Sequence, residues 1–137
     1  MNKPIQSKNA PEPVGLYPHA RQVGNLLFLS GIGPRERGKK DIPGVKLDSD
    51  GNIVSYDIKS QCHSVFKNVR MVLEDAGSSW ENLIDVTVFL TNMKDDFEIY
   101  NQLYSEYFKK NQPSRTTIEI SSLPTPIAIE LKCIATV

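Results

Sequence analysis

Pro113-Ser114-Arg115-Thr116-Thr117, followed after Ser121-Ser122-Leu123-Pro124-Thr125-Pro126 by Ile127-Ala128-Ile129-Glu130-Leu131, is the stretch whose reading decides the fold. It reads as two short strands joined by a proline-bearing loop, each with a charged residue that its apolar neighbours do not explain. Arg115 opens the first. In the second, Ile127, Ile129, Leu131, Cys133, Ala135 and Val137 share one face at a period of two, which sends Glu130 to the other face with Ala128, Lys132 and Ile134. That second face is half apolar, unlike a strand with one side in water. The expectation is that it meets another subunit and that Arg115 and Glu130 border the cleft between them.

Upstream, residues 57–73 carry Ile58, Cys62, Val65, Phe66, Val69, Val72 and Leu73 at helical spacing, with Asp57 at the start and Gly77 as the stop. Ser78 and Glu81 form a candidate capping box for a short turn through Trp80. Residues 84–91 read as a strand with Ile84, Val86, Val88 and Leu90 on one side. Asp95 or Asp96 caps a second helix, whose face of Phe97, Tyr100, Leu103, Tyr104, Tyr107 and Phe108 is aromatic core or subunit contact. Before all these, Gly24-Asn25 suits a two-residue turn between arms at 17–23 and 26–30, and Leu26-Leu27-Phe28-Leu29 is apolar on both faces, as in a central strand. Residues 1–13 are polar, hold three prolines and read as an extended lead-in, while residues 33–52 read as a long loop whose basic run is either solvated or an anion collector. The order of strands, helix, strand, helix and two strands makes an α+β fold: a mixed sheet with both helices on one face.

The chain has 137 residues, the size of one domain that buries its core without staples. Cys62 and Cys133 fall on apolar faces and read as buried reduced thiols. With 16 basic and 16 acidic residues the net charge is zero, which argues against a nucleic-acid or anionic-membrane partner. No apolar run approaches a membrane span, so a cytoplasmic protein is expected. His19 and His63 sit on different elements and His63 points away from Cys62, so no metal site assembles, and no glycine-rich phosphate loop or nucleophile elbow is present. Acid-base chemistry is left to Glu130, Tyr17, backbone groups and water, with no cofactor expected.

Several motifs in order resemble the RidA/YjgF family: Tyr17-Pro18-His19-Ala20, Gly24-Asn25-Leu26-Leu27-Phe28-Leu29-Ser30-Gly31, Val86-Thr87-Val88-Phe89-Leu90-Thr91-Asn92-Met93, Tyr100-Asn101-Gln102-Leu103-Tyr104, and the 113–131 stretch itself. The resemblance implies a chorismate-mutase-like domain in a homotrimer with a barrel-like centre, helices outside and ligand clefts between subunits. It also implies hydrolytic deamination of reactive enamines and imines to a carbonyl compound and ammonia. In the family, the arginine matching Arg115 grips the substrate carboxylate and the glutamate matching Glu130 positions or activates water. Positions matching Tyr17, Ser30, Gly31, Asn101 and Thr117 line the pocket, with backbone groups of Gly31 and Thr117 contacting ligand or water.

The chain departs from the commonest family pattern at Ile32, where many relatives have glutamine, at Thr117, where many have cysteine, and at Tyr17-Pro18-His19-Ala20. The last, with Gly33-Pro34-Arg35 and the Leu123 to Pro126 segment, is similar to the branch of 2-aminomuconate deaminases, whose substrate has a second carboxylate that His19, Arg35 or Arg37 would receive. Two other classes stay open: a non-catalytic trimer that binds small carboxylates such as 2-keto acids and modulates a partner enzyme, and a ribonuclease or translation inhibitor. Zero net charge and the lack of paired histidines weigh against the last.

Overall fold

The computed structural model describes residues 2–137. Its elements run β1 (Asn2–Ile5), β2 (Ala20–Val23), β3 (Leu26–Leu29), β4 (Val45–Leu47), β5 (Ile53–Tyr56), α1 (Ile58–Asp75), a 3-10 turn (Trp80–Asn82), β6 (Leu83–Leu90), α2 (Met93–Tyr107), β7 (Ser114–Glu119) and β8 (Ile129–Thr136). Six strands form one mixed sheet in the order β1-β2-β3-β8-β6-β7, and β4 pairs with β5 apart from it. The fold is therefore α+β, and it supplies a strand order that the sequence reading left open. The two strands of the deciding stretch are not neighbours: β6 lies between them, antiparallel to β8 and parallel to β7. A parallel β6–β7 pair needs a crossover, which α2 supplies.

Alternation along the strands sorts the sheet into two faces. Leu27, Leu29, Val86, Val88, Ile129, Leu131, Cys133 and Ala135 are buried in one cluster with Cys62, Val65, Phe66, Val69, Val72 and Leu73 of α1. Phe66 anchors that layer, with Trp80, Tyr104, Tyr107 and Phe108 packed round it at ring distances between 4.5 and 6.3 Å. The α1 reading holds throughout: the Asp57 carboxylate accepts from the Ser60 amide, and Gly77 takes the left-handed φ of 82° that ends the helix. Burial pushes both cysteine thiols up to about 12, so they pack as hydrophobes.

Five local expectations are corrected. The lead-in is not free chain: β1 pairs with β2, and Ser7 and Ala10 are buried. The long loop contains the β4–β5 hairpin. Ser78 is no cap, since its hydroxyl donates to Thr136 O at 2.6 Å and the turn has no side-chain cap at Ser79. Asn92, not Asp95 or Asp96, caps α2 by accepting from the Asp95 amide at 3.1 Å. Ile84 is exposed, because a register shift between Leu83 and Asp85 turns it outward and puts Leu83 in the core instead.

No helix among the described residues is long and apolar enough to cross a membrane. Among the described residues, no helix covers the sheet face away from α1 and α2. Leu26, Phe28, Phe89 and Ile134 are half-buried there, and Val23 and Ile118 are exposed.

Candidate active site

Glu130 sits on that uncovered face, and a break in strand register creates its surroundings. β3 pairs Phe28 with Ile134, yet the next bridge joins Ile32 to Leu131, so the β3 side holds one residue more than the β8 side. The resulting bulge at Ser30-Gly31 presents Gly31 to the Glu130 carboxylate. A β carbon on Gly31 would stand 2.5 Å from Glu130 Oε2. Ser30 is locked at the bulge by its hydroxyl, which donates to Pro18 O at 2.7 Å, and by its amide, which donates to His19 O at 2.9 Å.

The hollow in front of Glu130 measures about 130 Å³ and is walled by Tyr17, Gly31, Gly33, Arg35 and the loop residues Pro124, Thr125 and Ile127. A smaller neighbouring hollow of about 30 Å³ shares Tyr17, Gly31, Gly33 and Arg35 and is closed by Ala10, Pro11 and Pro13. Burial raises the Glu130 carboxyl above the ordinary glutamate range, and the Arg35 charge opposes this in part. A carboxyl so placed exchanges its proton nearer neutral pH than a solvated one.

Arg115 and Thr117 belong to a different place. Their β6 partners Val86 and Val88 are buried, so both side chains leave β7 on the helix face, whereas Glu130 shares its register with Phe89 and Ile118 on the other. The Arg115 guanidinium lies over Tyr104 at 4.7 Å and Tyr100 at 5.5 Å from the ring centroids, and its Nη1 donates to Asn101 Oδ1 at 2.8 Å. Thr117 Oγ1 lies 3.0 Å from the Tyr100 hydroxyl. The arginine is thus exposed but held over two α2 rings, with a hydrogen bond to Asn101.

Two half-sites result. Tyr17, Ser30, Gly31 and Glu130 come together with Arg35; Asn101, Arg115 and Thr117 come together with Tyr100 and Tyr104. Within one chain they do not meet, being roughly 10 Å apart along the strands and about two strand spacings across, on opposite faces.

His19 joins neither set as a free ligand group. It is buried, its Nδ1 accepts from the Ser7 amide at 3.0 Å, and its Nε2 donates to Pro11 O at 2.8 Å. It ties the N-terminal segment to β2 and has no nitrogen left for a second carboxylate. Arg37 is also engaged, with Glu12 at 2.9 Å and with Ala10 O. The sequence reading missed the placement of the two tyrosines under Arg115, whose aromatic spacing signalled core or subunit contact. It also missed Asn68, whose amide donates to Gly33 O at 2.8 Å and Arg35 O at 2.6 Å and so fixes the wall of the Glu130 hollow to α1.

The profile of the Endoribonuclease L-PSP family matches residues 7–137. The chain belongs to that family, the one that includes RidA and YjgF. A RutC family protein of Pyrococcus horikoshii is 38% identical over 135 residues, covering 98% of each chain. Reactive Intermediate Deaminase A, chloroplastic, of Arabidopsis thaliana is 30% identical, covering 96% of this chain and 64% of its own length. Among solved structures, Escherichia coli TdcF with bound serine superposes with a TM-score of 0.84 at 27% identity, covering 98% of both chains. The RidA-like fold is thus shared over the length that carries both half-sites.

Proposed function

We propose that this protein hydrolyses reactive enamines and imines that bear a carboxylate, of the 2-aminoacrylate or 2-aminomuconate type, to the carbonyl compound and ammonia, at sites assembled from two copies of the chain. The observation that carries the reading is the division of the site itself. A guanidinium oriented outward at the edge strand β7 and a carboxyl recessed in a hollow on the open sheet face are complementary halves that one chain keeps apart.

A head-to-tail contact, in which the β7 edge of one copy meets the open sheet face of the next, brings Arg115 of one to Glu130 of the other. Such a heterologous contact makes a ring when its rotation closes, and a homotrimer is the ring the family resemblance implies. Phe28, Phe89, Ile118 and Ile134 give it apolar area to bury.

The chemistry asks little of the protein. Arg115 offers two parallel donors to the substrate carboxylate and fixes the C=N carbon over the Glu130 hollow. Glu130 takes a proton from water as its oxygen bonds to that carbon, and the nitrogen is protonated. When the C–N bond breaks, the carbonyl forms and ammonia leaves, so imine and water are converted to ketone or aldehyde and ammonia with no other reactant. An iminium carbon is already electrophilic, so placing water and moving protons is sufficient.

A second reading, a non-catalytic carboxylate binder that modulates a partner enzyme, draws on the serine in TdcF. The ribonuclease activity in the family's description fits this chain less well, because it has no net positive charge and His19 is fully engaged. The deciding experiment measures ammonia release from 2-aminoacrylate generated in situ. Wild type is expected to exceed the spontaneous rate, and Arg115→Ala to lose about 10- to 100-fold in kcat/KM, as for a charge-assisted hydrogen-bonding pair. A wild type no faster than the spontaneous reaction, yet binding pyruvate through Arg115, leaves the binder.

A further inference from the structure

We propose that Arg35 selects substrates carrying a second anionic group, which makes dianionic imines and enamines, those derived from amino dicarboxylic acids, the preferred substrate class. This rests on the deaminase reading above and names the substrate for that site.

Arg35 lines both hollows beside Glu130. Two of its neighbours in the same basic run already have carboxylate partners, Arg37 with Glu12 at 2.9 Å and Lys39 with Glu36 at 3.7 Å, and the third, Lys40, is exposed and lines neither hollow. Arg35 has no carboxylate within that reach among the described residues; its Nη2 donates to the backbone carbonyl of Glu12 at 2.7 Å. A guanidinium has five N–H donors, and one carbonyl occupies one of them.

The arginine is not carried on a free loop either. Ser64 donates to Pro34 O at 2.7 Å, and Asn68 grips the carbonyls on both sides, so three successive backbone oxygens are bonded to α1. Asn68 is itself 2% exposed. An amide and a hydroxyl that hold one short segment at a cavity wall fix the backbone that carries the cation before any ligand arrives, and this lowers the entropy lost on binding.

The hollow has room for the role. Its volume of about 130 Å³ exceeds the roughly 30 Å³ of one water several times, enough for a carboxylate-bearing arm beside the attacking water. Electrostatics require a cation there as well. A second carboxylate entering next to Glu130 meets a like charge, and Arg35, which already acts on Glu130, is the group that offsets it. With Arg115 of the other copy on the first carboxylate, Arg35 is left facing the far end of the molecule.

The test uses the imines of aspartate and asparagine, which match in size and differ in one charge, each generated in situ by an amino-acid oxidase. Wild type is expected to favour the aspartate imine by at least about tenfold in kcat/KM, the scale of one charge-assisted contact. Arg35→Gln is expected to bring that ratio near one, and Arg35→Lys to keep part of it by retaining a point charge. A ratio unchanged in Arg35→Gln, or both rates falling in proportion, assigns Arg35 to the electrostatics of Glu130 alone and overturns the proposal. A wild type with no rate above the spontaneous one on either imine fails the deaminase reading first and the selectivity with it.

Discussion

A methyl group at position 31 has nowhere to go while Glu130 keeps its place, since the added carbon would lie 2.5 Å from Oε2. The conflict is with the tip of a side chain, and Gly31 has no left-handed φ to defend, so the carboxyl swings aside and the backbone stays. Gly31→Ala is therefore expected to fold with a thermal midpoint close to wild type while kcat falls about 10²-fold, within the span of a displaced general acid-base group. An equal loss of stability and rate would mean that the glycine serves the bulge rather than the carboxyl. Glu130 also makes a signed prediction about pH. Its folded pKa is raised, chiefly by burial, so in the window between the unfolded and folded values the folded state binds more protons than the unfolded one. Stability then falls as pH rises through that window. Glu130→Gln removes the cost, so the difference in thermal midpoint, variant minus wild type, is expected to grow from pH 4 to pH 7. A difference that shrinks over this range would contradict a desolvated carboxyl.

At the scale of elements, α1 does more than cover the sheet, because Asn68 reaches from its buried side to hold the chain at Gly33 and Arg35. Asn68→Ala leaves two carbonyls without their donor and is expected to cost about 1–3 kcal/mol in denaturant unfolding, with a loss of rate beyond what the fall in stability explains. The same helix shows what the sequence makes legible. Its apolar residues recur at 3.6, Asp57 and Gly77 mark its ends, and nothing in the tertiary structure competes with that pattern. Elements held mainly by backbone pairing left no such pattern: β1 is a polar edge strand that packs only Ile5 on the core, and β4 and β5 are largely exposed apart from Tyr56, so none shows a full buried face. The bulge before Asp85 was hidden for a related reason, since unbroken alternation through Ile84 is what the residue types display and only the pairing partner reveals the slip. Arg115 and Glu130 stood out as charges on apolar strands. Their separation did not, because strand order is a tertiary fact and nothing within residues 113–131 records that β6 lies between β7 and β8.

For the whole molecule, that separation makes assembly a condition for the proposed chemistry. One chain holds Arg115 on the helix side and Glu130 on the open side of the same sheet, so under the proposed mechanism a monomer would have two incomplete half-sites and no complete one. Pairing copies head to tail predicts complementation. Arg115→Ala keeps a sound Glu130 hollow and Glu130→Gln keeps a sound arginine cradle, so each variant alone is expected to keep only residual activity while a mixed ring contains junctions with both sound halves. Co-expressing the two in equal amounts is expected to restore about one quarter of wild-type activity, the fraction of junctions at which random pairing in a cyclic oligomer joins the two intact halves. Mixing the purified variants without exchange of subunits is expected to restore none, which separates shared sites from a solution effect. If co-expressed variants stay as inactive as either parent while mixed rings are present, Arg115 and Glu130 do not serve a common substrate, and the reading of two halves joined across a junction fails with them.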